Sequence, residues 1–376
     1  MKLSKRIQRI EASKTARFIP LLDAFKRQGR KVISLAIGEP AVETPLAVVE
    51  ATMQALDRQQ TRYGDIAGLA GLREGLAERF DGCKPDNIVI FNGSKQALYT
   101  IFQVICDPGD QVIIPVPYWV SFAEQVKLAG GEPVFVPTRD HHLDLDAIEA
   151  AVSPKTRAVL INSPNNPTGA VYPVQDLKAI ARLAEKHNLL LVSDEAYAFF
   201  VYDQLPCFSL YDLASVRERL IVTRSFSKHF AMTGFRVGYT IAPPAISDAL
   251  VRLHSHLTGN VCTFAQHGAL AALEMDDVQL IQRRTDLQRR RDLAFDQASE
   301  LFDCIRPQGA FYLFPNISAH LRHDERSGAF AARILEAAGV AVVPGEDFGM
   351  DDHVRICFAV PQDQLLEAFQ RIREAL

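Results

Sequence analysis

The 376-residue sequence predicts an α/β protein, with a large domain built on a mostly parallel sheet and a smaller α+β domain. Two observations predict this fold class: short apolar runs alternate with helical stripes in the middle of the chain, and the pattern changes after about residue 285. The apolar runs are bounded by polar or turn residues, as expected for strands buried on both faces. These strand candidates are Ile88–Phe91, Val112–Val116, Ala158–Ile161, Leu189–Val192 and Leu220–Thr223.

A helical stripe from Val174 to Ala184 lies between the third and fourth candidates and is closed by His187 and Asn188. Strand, helix and strand at this spacing predict βαβ units and hence parallel strands. Val237–Ala242 follows the fifth candidate too closely for a helical crossover, so we expect it to pair antiparallel.

The C-terminal part predicts the smaller domain. A long charged helix precedes Ala310–Phe314, and a helix from about Gly328 to Ala338 precedes strands at Val340–Val343 and Val354–Phe358 and a closing helix. Residues 1–45 have no sheet core of their own, and we expect them to dock onto this tail. The predicted large domain is therefore 46–284, and the small domain combines 1–45 with 285–376.

Composition limits the classes of function. A net charge of −4 gives no support for a nucleic-acid partner. The arginine-rich run 283–291 alternates with acidic residues and indicates a solvated helix face. Six scattered cysteines without a CxxC pair disfavour zinc and disulfides and indicate a reducing compartment. Without a transmembrane-length apolar run or an apolar signal core, we expect no membrane association and a cytoplasmic location.

Lys228 lies in the segment SFSKHFAMTGFRVG, residues 225–238. A lysine becomes a covalent catalyst through a Schiff base, and pyridoxal phosphate is the cofactor that most often uses one. Ser225 and Arg236 lie near enough in sequence to serve its phosphate. A surface lysine in a serine-rich turn is the alternative, and the register of Gly234, Arg236 and Gly238 argues against it.

Other polar residues follow the predicted strands, where parallel α/β sheets bind ligands. Asp194 ends an apolar strand, where a carboxylate needs a cation such as a pyridinium, although a helix N-cap would also explain it. Tyr197 could donate its phenol to the ring oxygen of the cofactor. The segment Asn92–Leu98 runs from a strand into a helix start, which suits a phosphate but also fits a plain cap.

Three further residues have open alternatives. Asn166 lies in the turn NSPNNPTG, which either holds it over a ligand or is a turn without a ligand. Trp119, the single tryptophan, either stacks on a flat cofactor or packs in the core. Arg355 lies in an apolar strand and needs a buried anion, either a substrate carboxylate or an internal ion-pair partner.

Together these motifs resemble the fold-type I pyridoxal phosphate aminotransferases of class I, and most of all the bacterial aspartate aminotransferase group. The resemblance spans roughly residues 30 to 360 and includes the Gly-Glu-Pro at 38–40, the segment 63–74 and the Asp-Pro-Gly-Asp at 107–110. It implies a mostly parallel seven-stranded sheet flanked by helices, the cofactor pyridoxal 5'-phosphate, and a homodimer with shared active sites.

The resemblance also implies residue roles. Lys228 would form the Schiff base and move the proton, Asp194 would hold the pyridinium, and Tyr197 would bind the ring oxygen. The remaining cofactor residues would be Ser94, Lys95, Gln96, Trp119, Asn166, Ser225, Arg236 and, from the neighbouring subunit, Tyr63. The substrate residues would be Gly38, Trp119, Asn166, Arg355 and Lys95.

The implied reaction is ping-pong transamination between an L-amino acid and a 2-oxo acid. Lys95 would read the distal carboxylate of aspartate or glutamate, or would only support the phosphate. The chain departs from the group at Asp65-Ile66, at 41–43, at Lys14 and Phe18, and at 260–262, which flank the substrate side. A specialised aminotransferase of secondary metabolism, a pyridoxal phosphate lyase or decarboxylase, and a non-catalytic regulator with this fold are the alternatives.

Overall fold

The computed structural model describes residues 3–11, 25, 27 and 29–376, with the side chain at 277 left out. Lys14 and Phe18 lie outside the described residues. The α-helices of the described part are α1 (Lys5–Gln8), α2 (Leu46–Asp57), α3 (Ala70–Ala77), α4 (Ser94–Ile105), α5 (Ser121–Leu128), α6 (Leu145–Ala150), α7 (Val174–Lys186), α8 (Phe226–His229), α9 (Pro244–Leu257), α10 (Thr263–Leu273), α11 (Asp277–Ser299), α12 (Ser327–Ala338) and α13 (Gln362–Ala375). None of these helices has both the length and the apolar composition of a membrane span.

A short strand, β1 (Ile33–Ser34), precedes the main sheet. The main sheet has seven strands: β2 (Ile88–Phe91), β3 (Gln111–Val116), β4 (Glu132–Pro137), β5 (Thr156–Asn162), β6 (Leu190–Asp194), β7 (Leu220–Ser225) and β8 (Gly238–Ile241). Their order is β2-β8-β7-β6-β5-β3-β4. The strands from β7 to β4 pair parallel, and β8 pairs antiparallel with β2 and β7, which confirms the predicted fold class.

Apolar burial on both faces holds this sheet in place. All four residues of β2 and β8 are buried, and the helices cover both faces with two separate hydrophobic clusters. Helix α7 contributes the stripe predicted from its spacing, with Leu177, Ile180 and Ala184 buried. Since burying one such aliphatic side chain stabilises a fold by roughly 1.5–3 kcal/mol, these clusters fix the strand ends that carry polar side chains.

The C-terminal part forms smaller sheets. Strands β9 (Tyr312–Leu313), β11 (Val343–Pro344) and β12 (Val354–Cys357) form an antiparallel sheet in the order β11-β12-β9. Strand β10 (Val340–Ala341) pairs parallel with β1, so the segment before the large sheet docks onto the tail. This pairing supports our proposal that 1–45 and 285–376 form one domain and 46–284 the other.

One arginine corrects the sequence analysis. Arg291, expected on a solvated helix face, is fully buried. It lies on the face of α11 that also buries Leu287, Ala294 and Ala298, because residues spaced by three or four share one side of a helix. Its guanidinium donates two bonds to Asp203 there, of 2.6 and 2.9 Å, and one bond to each of two further oxygens at 2.6 Å. The charge pattern of the run does not show this, because only the helical periodicity places Arg291 on the buried face.

Candidate active site

A cavity of about 570 Å³ lies at the carboxyl ends of the parallel strands and reaches the small C-terminal sheet. Every predicted site residue except Gln96 and Tyr63 lines it. The residues come from the ends of β5, β6 and β7, from the start of α4 and from β12, so segments far apart in sequence meet at one place. This position is the one that strand placement predicts for a ligand.

Lys228 lies in α8, which begins where β7 ends. Ser225 caps the helix by accepting a hydrogen bond of 3.1 Å from the backbone N–H of Ser227. The Lys228 Nζ donates to the carbonyl oxygen of Gly38 at 2.5 Å. Burial lowers the pKa of Lys228 to about 8, because the charged ammonium loses its water. The lysine is therefore much closer to its reactive neutral form at physiological pH than an exposed lysine.

Asp194 is the last residue of β6 and is buried. Its Oδ1 accepts from the backbone N–H of Ala196 at 3.1 Å, so its donor is a peptide group rather than a cation. Burial, assisted by the charge of Glu195 and opposed by the hydrogen bond from Ala196, raises the pKa of Asp194 to about 7. No α-helix of the described residues begins directly after Asp194, so the helix N-cap alternative does not apply.

An anion cradle lies where β2 leads into α4; we define it by Ser94, Lys95, Ser225 and Arg236. The first N–H groups of a helix have no intrahelical acceptor, and the helix dipole favours an anion there. Gly93 has φ +79°, and a Cβ at that position would lie 2.4 Å from Arg236 Nη2. Glycine therefore lets the guanidinium approach the helix start.

Gln96 does not belong to this cradle. Its backbone N–H donates to the carbonyl oxygen of Gly93 at 3.1 Å, and its side-chain oxygen accepts from the N–H of Asn92 at 2.7 Å. These bonds close the first helical turn and direct Gln96 away from the cavity lining. The phosphate contact that the resemblance implies for Gln96 stays a prediction, and the backbone N–H that would make it already donates within the first turn of the helix.

Arg355 is a buried residue of β12. Its Nη1 donates to Asn166 Oδ1 at 3.0 Å and its Nη2 to the carbonyl oxygen of Ala36 at 2.7 Å, while its Nε has no partner among the described residues. Neither acceptor is a carboxylate, so the internal ion-pair alternative is not observed. The guanidinium is oriented by neutral groups and keeps its charge available for an anion.

Trp119 lines the cavity beside Lys95, whose Nζ lies 5.0 Å from the centroid of the indole ring. On its core side, the indole ring packs edge-on against the ring of Phe122, with 5.3 Å between the ring centroids. Burial lowers the pKa of Lys95, and the charge of Arg236 lowers it further. Trp119 thus faces the site, as a stacking residue must, and not only the core.

Tyr197 reaches the cavity and contacts a residue that sequence analysis missed. Its hydroxyl lies 2.8 Å from the hydroxyl of Tyr312 on β9. Both side chains are buried, and burial raises the pKa of each phenol. The signal available in the sequence was the aromatic pair at 311–312 in a short strand after Gly309, which also fits an ordinary core strand.

Comparison with known proteins places this geometry in a family. A family model described as aminotransferase class I and II matches residues 30–372. The aspartate aminotransferase of Geobacillus stearothermophilus is 38% identical over 385 aligned positions, gaps included, and the alignment covers 99% of this chain and 98% of that protein. The chain belongs to the class I and II aminotransferase family.

Two further comparisons support the assignment. The aspartate/prephenate aminotransferase of Thermus thermophilus is 39% identical and covers 100% of this chain and 98% of that protein. The structure of aspartate aminotransferase from Thermus thermophilus with maleate matches with a TM-score of 0.96 and 38% identity, over 100% of both chains. The predicted resemblance, the fold-type I architecture and pyridoxal phosphate-dependent transamination are thereby confirmed.

The site of this aminotransferase fits pyridoxal phosphate. Asp194 is a buried acid that lacks a cationic partner in its hydrogen bonding, and a pyridinium would supply one. The cradle offers a helix start and the guanidinium of Arg236 for a phosphate. Lys228 and Arg355 add two more cations to the lining, so the cavity is built for anionic ligands.

Tyr63 lies apart from this cavity and is 98% exposed. An aromatic side chain so exposed makes almost no contact within its own chain. The predicted role of Tyr63 concerns a neighbouring subunit, and within the chain the structure shows only that the side chain is available for one.

Proposed function

We propose that this aminotransferase takes aspartate or glutamate as its amino donor. The observation that carries the proposal is that two cationic side chains, Arg355 and Lys95, line one cavity, with Lys95 lying over the ring of Trp119. Two carboxylates of one substrate would pair with these two charges. Relatives named aspartate aminotransferase support the same donor.

We assign Lys228 both the covalent attachment of the cofactor and the movement of the substrate's Cα proton. When bound, pyridoxal phosphate supplies an electron sink for the bond that breaks at Cα. A base that works near neutral pH needs a pKa near that pH, and the burial that lowers the pKa of Lys228 to about 8 meets this need. The carbonyl oxygen of Gly38 holds Nζ at 2.5 Å on the small-domain side of the cavity.

The remaining roles follow from the contacts. Asp194 would pair with the pyridine nitrogen, and Tyr197 would donate to the ring oxygen. The cradle residues would hold the phosphate, Lys95 through its backbone N–H only, and Trp119 would stack on the ring. Asn166 orients Arg355 by the 3.0 Å bond to its Nη1, and Arg355 would clamp the α-carboxylate of any amino acid substrate.

We propose a homodimer in which Tyr63 completes the phosphate site of the neighbouring subunit. Helix α2, which precedes Tyr63 in the chain, also exposes three apolar side chains: Leu46 (69%), Met53 (59%) and Leu56 (40%). Apolar side chains exposed together mark interaction surfaces. Sedimentation velocity should show that the protein is a dimer. Tyr63→Phe should weaken pyridoxal phosphate binding and leave the dimer intact. A monomeric native protein would refute the shared site.

We also propose the cytoplasm as the location. All six cysteines are free thiols, and Cys106 and Cys357 are buried as such. Free thiols of this number fit a reducing compartment.

The donor is tested by single half-reactions. Aspartate, glutamate, phenylalanine or alanine is added alone to the cofactor-loaded protein, and the absorbance of the bound cofactor and the 2-oxo acid released are measured. Aspartate and glutamate should each release about one equivalent of oxo acid per site and react fastest. A protein that prefers alanine or phenylalanine would refute the dicarboxylic donor while leaving transamination intact.

The role of Lys95 is tested by Lys95→Met, which keeps length and removes charge. Loss of a charge-assisted hydrogen bond worth about 1.5–3 kcal/mol predicts a roughly 10- to 150-fold drop in kcat/KM for aspartate. The value for alanine should stay within a few-fold. Lys178→Met, on the exposed side of α7, is the matched control. Equal losses for both substrates would mean that Lys95 serves only the phosphate.

A further inference from the structure

We propose that Tyr312 is a positioning residue that couples the cofactor end of the site to its carboxylate end. This inference rests on the roles proposed above for Tyr197 and Arg355. Tyr312 lies on β9, paired with Cys357 of β12, and is 1% exposed. From that position its side chain contacts three elements of the site.

The first contact fixes the direction of a hydrogen-bond chain. The Tyr197 and Tyr312 hydroxyls are 2.8 Å apart, and each has one proton to donate. If Tyr197 donates to the anionic ring oxygen of the cofactor, its own oxygen must accept from Tyr312. A donor on the Tyr197 oxygen stabilises negative charge there, which makes Tyr197 a stronger donor to the cofactor.

The second contact supports the carboxylate clamp. The guanidinium carbon of Arg355 lies 4.4 Å from the centroid of the Tyr312 ring, within the range of a cation–π interaction. The ring face and the bonds to Asn166 and Ala36 together hold the plane of the guanidinium. Here the ring of Tyr312 acts, not its hydroxyl.

The third contact positions the segment that holds Lys228. A Cβ on Gly38 would lie 2.1 Å from the Tyr312 hydroxyl, so the backbone at Gly38 packs directly on that oxygen. The carbonyl of the same glycine accepts from Lys228 Nζ at 2.5 Å. The Tyr312 hydroxyl therefore touches Tyr197 and the residue that holds Lys228, while its ring supports Arg355.

Because hydroxyl and ring act on different ends, two substitutions separate them. Tyr312→Phe removes the hydroxyl and keeps the ring. Tyr312→Leu removes both. Tyr202→Phe is the matched control, because Tyr202 is also 1% exposed, belongs to the same hydrophobic cluster and uses its hydroxyl on the carbonyl oxygen of Ala310, away from the cavity lining.

The first measurement is the pH titration of the absorbance of the bound cofactor, without substrate. A donor to the ring oxygen lowers the affinity of the cofactor for the proton shared with the Lys228 nitrogen. Weakening that donor in Tyr312→Phe should raise the titration midpoint by roughly half a pH unit, as a partial loss of one hydrogen bond predicts. Tyr197→Phe should raise it more, and Tyr202→Phe should leave it unchanged.

The second measurement is the affinity of the loaded protein for maleate, a dicarboxylate without an amino group. Tyr312→Leu should raise its Kd by roughly 2- to 30-fold, the range expected from loss of one cation–π contact. Tyr312→Phe should leave the Kd within two-fold. A variant with only a general structural defect would show lower thermal stability. It would not change the titration midpoint and the Kd for maleate independently of each other.

The outcomes distinguish the inference from the proposed function. If Tyr197→Phe raises the midpoint and Tyr312→Phe does not, the coupling by Tyr312 is refuted and the role of Tyr197 stands. If neither raises it, the role of Tyr197 falls and this inference falls with it. If Tyr312→Phe does not fold, Gly38→Ala displaces the same hydroxyl from the other side, and an unchanged midpoint in that variant would overturn the proposal.

Discussion

Arg355→Lys is the perturbation that tests the site most directly, because it keeps the charge and removes the geometry. The guanidinium donates one hydrogen bond from Nη1 to Asn166 and one from Nη2 to the carbonyl oxygen of Ala36, and these bonds set its plane. A lysine ammonium is a point charge on a flexible stem and cannot satisfy both acceptors while presenting two parallel donors.

The expected loss follows from those contacts. A charge-assisted hydrogen bond contributes about 1.5–3 kcal/mol, so replacing a two-point clamp by a one-point contact should lower kcat/KM roughly 10- to 150-fold. Every amino acid has an α-carboxylate, so aspartate and alanine should lose the same factor. This uniform loss separates Arg355 from Lys95, whose substitution should affect dicarboxylic substrates alone.

Steady-state kinetics with both donors at saturating 2-oxo acid provide the assay. Arg333→Lys is the matched control, since Arg333 is a partly buried arginine of α12 that pairs with Glu325 away from the cavity lining. It should change kcat/KM by less than two-fold. An Arg355→Lys enzyme with unchanged kcat/KM, or one impaired only with aspartate, would refute the α-carboxylate assignment.

Three further predictions concern the apoprotein and the fold. Because burial lowers the pKa of Lys228 to about 8, capture of pyridoxal phosphate by the apoprotein should accelerate as pH rises through 8 and level off above it; a rise that continues to pH 10 would contradict this. Gly93→Ala should weaken cofactor binding by at least about 10-fold, because it adds left-handed backbone strain of roughly 1–2 kcal/mol and a clash with the cradle guanidinium. Gly109→Ala is the control: its φ is +92° but its surroundings are open, so it should not affect cofactor binding. In urea unfolding, Asp203→Ala should cost about 2–4 kcal/mol, because it leaves the buried guanidinium of Arg291 without two charge-assisted bonds. Arg291→Met should cost less, because Asp203 is 41% exposed and can be rehydrated, and the reverse order would refute the reasoning.

The sequence predicted the central strands well and missed an edge strand. Strands such as β5 and β6 are buried on both faces and appear as continuous apolar runs. The missed strand β4, Glu132–Pro137, lies at the edge of the sheet, contains two prolines and buries only Val136 among its six residues. Edge strands tolerate proline and exposure because one side of the strand makes no ladder hydrogen bonds, so their sequence does not differ from that of a loop.

The site residues were predictable for a different reason. Lys228, Asp194 and Ser225 each follow or end a buried strand, so their meeting point follows from the parallel sheet alone. The bond between Arg355 and Asn166 joins residues 189 positions apart, and no local pattern predicts it. Tyr312 is harder still, because an aromatic residue in a short buried strand is ordinary core by composition, and only its contacts in the structure, such as the 2.8 Å approach to the Tyr197 hydroxyl, distinguish it.

The arrangement of charge explains why residues outside the large sheet must supply part of this site. The large sheet and the helices that follow its strands provide Asp194, Lys228 and the cradle, the groups that we propose bind the phosphorylated ring, but no cation placed to orient an amino acid α-carboxylate. Orientation needs a second cation at a fixed distance from the lysine, and Arg355 provides it from β12. Gly38, Tyr312 and Arg355 all belong to the proposed small domain, and Tyr312 contacts both of the others. A shift of that domain would therefore move the carbonyl that accepts from Lys228 and the carboxylate clamp together. Binding of a substrate carboxylate and the position of the catalytic amine are therefore linked by geometry, and a substitution that loosens the domain contact should raise KM and lower kcat in the same variant.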